Sequence, residues 1–197
     1  MSQYTAALET KLVEDIPSSM ESAGADALLL ERFQRGEDGA LVELFDRHNR
    51  RLLIYCQKLL GSREQAKDIT QELWMRVLRL RGSSQSVANP VGFFLKIARN
   101  LCLNHIEARR THTPLDALSE RAHPVADGGR SEMEELILAS LERLSFEHRE
   151  VLVLHIYCGY RLEEIAAMTG KSPEAIWKRA SRARKELRTL VMRDSDH

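Results

Sequence analysis

The sequence predicts an all-α chain made of two small helical domains joined by a flexible linker. Three observations carry this. The 197 residues are 43% hydrophobic but only 6% aromatic, so the cores must come mainly from Leu, Ile, Val and Ala. That palette suits helices better than sandwiches or barrels. Apolar residues recur at helical spacing, with no alternating strand pattern and no internal repeat. Finally, residues 111–130 hold two Pro, two Gly and few large apolar residues, which reads as a linker dividing the chain.

The boundaries follow from composition. Residues 1–25 are an acidic stretch with one short amphipathic run around Leu8, Leu12 and Val13, read as a mobile extension. Residues 26–110 are the first helical domain. Ala27 to Phe33 predicts a short helix stopped near Gly36. Leu41, Leu44, Phe45, Leu52, Leu53, Tyr55 and Cys56 continue a helical pattern to Leu60, with Gly61 as its stop. A third helix is expected from about Arg63 to Leu80, buried along Ile69, Leu73, Val77 and Leu80. Gly82 to Pro90 is a polar loop. A fourth helix runs from about Val91 to Arg110, with Phe94, Ile97, Ala98, Leu101 and His105 or Ile106 along one side. The second domain, residues 131–193, opens on a helix through Met133, Leu136, Ile137, Ser140, Leu141 and Leu144. Glu147 to Tyr157 follows, then a short helix over Leu162 to Met168 and a long one over Pro173 to Met192.

The formal net charge is zero, but the average hides a pattern. Residues 1–31 carry six acids and one Lys, and residues 131–170 eight acids and three Arg. Residues 171–190 reverse this, with seven Lys or Arg and two Glu. Local charge sets the field that a phosphate feels within a Debye length, so the zero total does not argue against nucleic acid.

The cysteines, Cys56, Cys102 and Cys158, are scattered and lie in apolar runs, which gives no disulfide framework and points to a reducing compartment. Cys102 with His105, and His155 with Cys158, fall at helical spacing, but each pair is more simply core packing than a metal site. We expect no metal and no cofactor. The N-terminus lacks a basic region followed by an apolar run, and no apolar stretch approaches the ~18 residues of a membrane span, so a cytoplasmic protein without membrane insertion is expected. No Walker loop, Gly-x-Gly-x-x-Gly, His-Glu-x-x-His or nucleophile elbow is present. No catalytic residue and no small-molecule substrate are therefore expected.

The strongest local signal spans Arg161 to Arg188 and predicts a helix-turn-helix. Ala166 is small where two helices must approach. Gly170, four residues on, supplies a left-handed turn. Ser172 is a good N-cap, Pro173 suits the first helical position, and Ile176 packs back on the first helix. Ile176, Ala180, Ala183, Leu187 and Leu190 make the buried stripe of the second helix. Glu174, Lys178, Arg182 and Lys185 lie roughly opposite, and Arg179 flanks the stripe. Helices that read DNA place their N-terminal residues on base edges, which selects Lys178, Arg179 and Arg182. Ser172, Arg184, Lys185 and Arg188 are assigned to phosphates. A plain solvated basic helix is the alternative, and the capped Gly turn ahead of it, with five net positive charges in twenty residues, favours DNA.

The run LERLSFEHREVLVLHIYCGYRLEEIAAMTGKSPEAIWKRASRARKELR, Leu144 to Arg188, resembles region 4 of bacterial RNA polymerase sigma factors of the extracytoplasmic-function group. AKDITQELWMRVLR (66–79) is similar to region 2.2 of that family, and NPVGFFLKIARNLCLNHIEARR (89–110) to regions 2.3 and 2.4. The resemblance covers residues 26–190, making 26–110 a region 2 domain and 131–193 a region 4 domain. It implies an alternative sigma factor that binds core RNA polymerase, recognises −35 and −10 promoter elements and promotes strand opening. It also implies an anti-sigma factor as partner.

The resemblance implies roles residue by residue. Asp68, Gln71 and Glu72 would dock on the polymerase clamp; Asp68 and Glu72 share a face one turn apart, and an ordinary polar surface would look the same. Gly82 to Gly92 would be a base-capturing loop, with Phe93 or Phe94, Lys96, Arg99, Asn100 and Asn104 serving the −10 element and its melting. Here the chain departs from the family: Phe94-Leu95 stands where Trp-Leu is usual. Base stacking and core packing are both open for Phe94. Trp177 occupies a position usually polar or basic in the recognition helix. It either packs on the neighbouring helix or touches a thymine methyl or sugar. A different reading of the whole chain is a stand-alone helix-turn-helix regulator whose first domain senses a ligand or dimerises.

Overall fold

A computed structural model describes residues 19–112 and 132–195. Every element among them is helical. The first group comprises α1 (Ser19–Gln34), α2 (Asp38–Leu60), α3 (Arg63–Leu78) and α4 (Pro90–His112). The second comprises α5 (Glu132–Arg143), α6 (Phe146–Leu152, running into a π-helical turn over Val153–Tyr157), α7 (Leu162–Thr169) and α8 (Pro173–Ser195). Most of the expected acidic extension and the expected linker lie outside the described residues. Helix α1 starts at Ser19, so it takes in the last seven residues assigned to that extension.

Local signals explain the breaks. Gly61 closes α2 at φ 72°, with its N–H bonded to the Gln57 carbonyl. Ser62 then caps α3 by accepting from the Gln65 N–H at 3.3 Å. The Asn89 side chain accepts from the Gly92 N–H at 2.9 Å and starts α4. Gly92 therefore belongs to the helix, and the polar loop ends at Asn89 rather than extending to Gly92. The helix expected over Glu147 to Tyr157 widens instead into a π turn. There the Cys158 N–H reaches back five residues to the Val153 carbonyl, at 3.0 Å.

The first core is built around Phe33, Leu44, Tyr55, Leu73, Val77 and Phe94, all essentially excluded from solvent. Trp74 joins it, its indole N–H bonded to Asn49 at 3.0 Å and its ring 5.3 Å from that of Phe94. Helix α1 is pinned by a buried carboxylate. Asp26, on α1, receives His48 at 2.8 Å and Arg47 at 3.0 Å, both from α2. Burial pushes this carboxyl up, but the His48 and Arg47 partners together outweigh it and hold Asp26 below the ordinary value of 3.8.

The second core gathers Leu141, Leu152, Leu154, Ile165, Ile176, Ala180 and Ala183. Here α8 packs on α5, α6 and α7. At its far end Arg143 forks onto Asp194 at 2.8 Å.

The two cores meet. Helix α2 packs against the π turn and α4 against α7, so the buried residues form one contiguous cluster. The polar part of this contact centres on Glu150, which is buried although acidic. It accepts from the Tyr55 hydroxyl at 2.8 Å and from the Arg99 Nε–H at 3.2 Å. Three cations of the first group sit over aromatic rings of the second: Lys58 on Tyr157, Arg99 on Phe146 and Arg51 on Tyr160, 4.5 to 5.3 Å from the ring centres.

Candidate nucleic-acid interface

The turn between α7 and α8 has the predicted chemistry. Gly170 adopts φ 65°, and its N–H bonds the Ala166 carbonyl. The Ser172 hydroxyl accepts from the Ala175 N–H at 3.2 Å. Ala166 and Ile176 are both buried at the crossing of the two helices. The Glu164 carboxylate accepts from the Arg161 N–H at 2.7 Å and sets the start of α7. The start of α8 is marked electrostatically as well. The Glu174 carboxyl is held below its ordinary range by its own backbone N–H and by Ser172.

With both starts set, the buried stripe of α8 is the predicted one. Ile176, Ala180 and Ala183 are buried, and Leu187 and Leu190 are partly so. Lys178, Arg182, Lys185 and Arg188 are exposed on the opposite side. Among the described residues no ion pair holds any of these four, and with Glu174 as the acid on that face the excess charge is positive. Arg179 is half-buried and lines the groove between α6 and α8. Lys178 and Arg182 border that groove together with Ser145, Glu147 and His148. Arg184 is half-buried on the other flank. Trp177 stands on that flank too, exposed, its indole N–H donating to Glu163 of α7 at 3.2 Å.

A second concave surface lies between the two groups of helices. A cleft of about 580 Å³ is lined on the α4 side by Asn89, Phe93, Lys96, Arg99 and Asn100. The end of α7 and Lys171 form its other wall, with Arg179. Lys96, Arg99 and Asn100, predicted from sequence as one set, are thus brought together, whereas Asn104 is exposed one turn further on and does not line the cleft. The expected base-holding role of Phe94 is corrected. Its ring is fully buried among Trp74, His48 and Phe93, so no base can stack on it. Phe93, half-buried and lining the cleft, is the aromatic in position to do so. The close approach of α7 to α4 depends on Gly92, where a Cβ would stand 3.0 Å from the Met168 carbonyl oxygen.

The loop ahead of α4 is tied down by a residue the sequence did not single out. Gln34 accepts from the Gly82 N–H through its carbonyl at 2.9 Å and donates from its side chain to the Gln85 carbonyl at 2.8 Å. Only the fold brings the end of α1 to this loop.

A third surface runs along α3. Asp68 and Gln71 are exposed, and Glu72 pairs with Arg76 at 2.9 Å. Met75, 47% exposed, stands between them at helical spacing, with Leu78 exposed nearby. This apolar element inside an acidic face was legible as an i+3, i+4 neighbour of Glu72 and Gln71, but it was missed. No helix among the described residues is long and apolar enough to cross a membrane.

Two family models match the chain: sigma-70 region 2 over residues 44–112 and sigma-70 region 4 over residues 134–187. Among curated proteins, the chain is 30% identical to the ECF RNA polymerase sigma factor SigM of Mycobacterium tuberculosis, a match covering 85% of each. It is 28% identical to the RNA polymerase sigma factor CarQ of Myxococcus xanthus, over 82% of this chain and 95% of that one. Among solved structures, CnrH in complex with the cytosolic domain of CnrY shares the fold at TM-score 0.65, with 21% identity over 88% of this chain and 99% of that chain. The sigma factor RpoE of Bartonella quintana, solved with the anti-sigma factor NepR, does so at TM-score 0.57, with 24% identity over 72% and 89%.

Proposed function

Since the chain belongs to the extracytoplasmic-function group of RNA polymerase sigma factors, we propose that its two helical domains, residues 26–110 and 131–193, act as the two contact points of one promoter reader. It is an alternative sigma factor, with core RNA polymerase and promoter DNA as its partners. The observation that carries the residue-level reading is the net positive face of α8: four exposed cations, none in an ion pair among the described residues, directly behind a capped Gly turn.

In this reading Lys178, Arg179 and Arg182 meet base edges of the −35 element. Ser172, Arg184, Lys185 and Arg188 hold phosphates on either side. On α4, Lys96, Arg99 and Asn100 attract and bond the separated −10 strand, Phe93 offers a stacking face, and Asn104 extends the track. Asp68, Gln71 and Glu72 dock on polymerase, with Met75 adding the apolar contact at the centre of that face. The chain catalyses nothing itself and acts in the cytoplasm.

The cleft carries a mechanical consequence. Its α4 wall faces the end of α7, and Arg99 is engaged by Glu150, so a strand enters only when the second domain moves away. Polymerase would drive that separation by binding the two domains at separate places. An anti-sigma factor, of the kind solved with RpoE of Bartonella quintana, would hold the chain inactive.

In vitro transcription with purified core polymerase tests this reading. Promoter-dependent transcripts and stable core binding are expected. Absence of both would sink it, and tight operator binding without polymerase would point to a stand-alone regulator.

A further inference from the structure

We propose that Trp177, held in place by Glu163, reads a thymine methyl group in the major groove. This rests on the assignment of α8 to the −35 element and names a specificity determinant within it.

The argument begins with exposure. Trp177 keeps 53% of its surface in water, while the stripe beside it, from Ile176 to Ala180, is buried. It is thus no part of the helix-turn-helix core. It stands one residue before Lys178, in the N-terminal part of α8 that a DNA-reading helix places on base edges. A large apolar ring among cations has no role in attracting phosphates.

Hydrogen bonding then narrows what the ring can do. An indole has a single donor and no acceptor. That donor is already bound to the Glu163 carboxylate at 3.2 Å. The ring therefore has no free polar group to offer a base edge, and it presents hydrocarbon only. In the major groove the matching apolar group is the C5-methyl of thymine.

The hydrogen bond also fixes the ring. Glu163 lies in the first turn of α7, whose start is set by the Glu164 bond to the Arg161 N–H. The two ends of the Trp177–Glu163 bond are thus anchored on separate helices whose crossing is packed by Ala166 and Ile176. A side chain locked before binding loses less rotamer freedom on docking. Trp177 is the reading residue and Glu163 a positioning residue.

The test uses full-length protein with core polymerase. Random duplexes are selected on the holoenzyme, and each thymine of the recovered −35 element is replaced singly by deoxyuridine, which removes only the methyl group. At one thymine, wild-type holoenzyme is expected to lose about fourfold in affinity, the worth of one buried methyl group. Trp177→Ala should bind the methylated duplex equally weakly and show no further loss with deoxyuridine. Glu163→Gln keeps an acceptor and should keep the methyl preference. Glu163→Ala and Trp177→Phe, which break the bond from either side, should shrink it. An element with no methyl-sensitive thymine, or a preference that survives in Trp177→Ala, overturns the proposal. If the holoenzyme still selects a promoter and transcribes from it, only the proposal for Trp177 falls. If no duplex is selected at all, the assignment of α8 falls with it.

Discussion

The Tyr55 hydroxyl donates a 2.8 Å hydrogen bond to Glu150, joining residues 95 positions apart on two different groups of helices. Both are buried, and burial first, with Glu150 second, drives the Tyr55 phenol well above its ordinary value of 10.0. The phenol is therefore a fixed donor across the whole working pH range. The same carboxylate engages Arg99, a cation expected to serve the −10 strand.

Glu150→Ala should loosen the contact between the two groups of helices. It leaves the Tyr55 hydroxyl buried without an acceptor, a loss of about 1–3 kcal/mol. Energy transfer between dyes placed on exposed positions of α3 and α8 should report a longer mean distance. An unchanged distance would count against Glu150 as the link.

Phe94→Ala and Phe93→Ala should separate packing from nucleic-acid contact. Phe94 is fully buried, so its truncation should destabilise by about 3–5 kcal/mol in urea unfolding. Phe93→Ala should change stability far less. It should instead weaken binding of a single-stranded −10 oligonucleotide by holoenzyme, by about 1–3 kcal/mol if one base stacks on it. The reverse order of effects would restore Phe94 as the stacking residue.

Lys178→Ala and Arg182→Ala should each weaken −35 duplex binding, by about 1–3 kcal/mol where the lost contact is a bidentate base contact, and relax preference at one base pair. Lys185→Ala should weaken all duplexes alike and reduce the slope of log affinity against log salt by about 1. Titrations of holoenzyme at several salt concentrations distinguish the two behaviours.

Acid should release α1 late. Asp26 is held below its ordinary 3.8 in the folded chain, against burial, by His48 and Arg47, the latter also paired with Glu43. A lowered folded value means stability that is complete above the unfolded value and lost as pH falls through the folded one. Asp26→Asn should therefore lower stability near neutrality by about 2 kcal/mol and flatten the acid limb below pH 3.8. Urea midpoints measured against pH check both parts.

The three thiols should resist alkylation in the free protein, since all are buried. The hydrogen bond to Cys102, then burial, raises Cys56, and burial lifts Cys158 to about 12. Cys158 also lies against the Arg51 carbonyl of the first helical group, at 3.8 Å. Binding to core polymerase should speed labelling of Cys158 while Cys56 and Cys102, inside the first core, stay protected. Mass spectrometry of labelled peptides reads this directly.

Residue order alone was enough for most of the helices, the stops at Gly61 and Gly170 and the basic helix-turn-helix, but not for the start of α1 at Ser19 or the π turn after Leu152. Gly61 with Ser62, and Gly170 with Ser172, act over three or four residues, and the stripe from Ile176 to Ala183 is a matter of periodicity within one helix. Lys96, Arg99 and Asn100 are grouped by the family resemblance, and all three line the cleft. Tertiary structure decided what each face meets. Phe93 and Phe94 are adjacent and chemically identical, yet one lines the cleft and the other fills the core, where its ring packs on Trp74 of α3. Arg99 finds Glu150 from 51 positions away, and Gln34 reaches Gln85 over the same distance. The Trp177 bond to Glu163 spans a turn whose shape was predictable, but its rotamer was not. Caps and periodicity are local energies written into neighbouring residues, whereas these pairings depend on how whole helices pack.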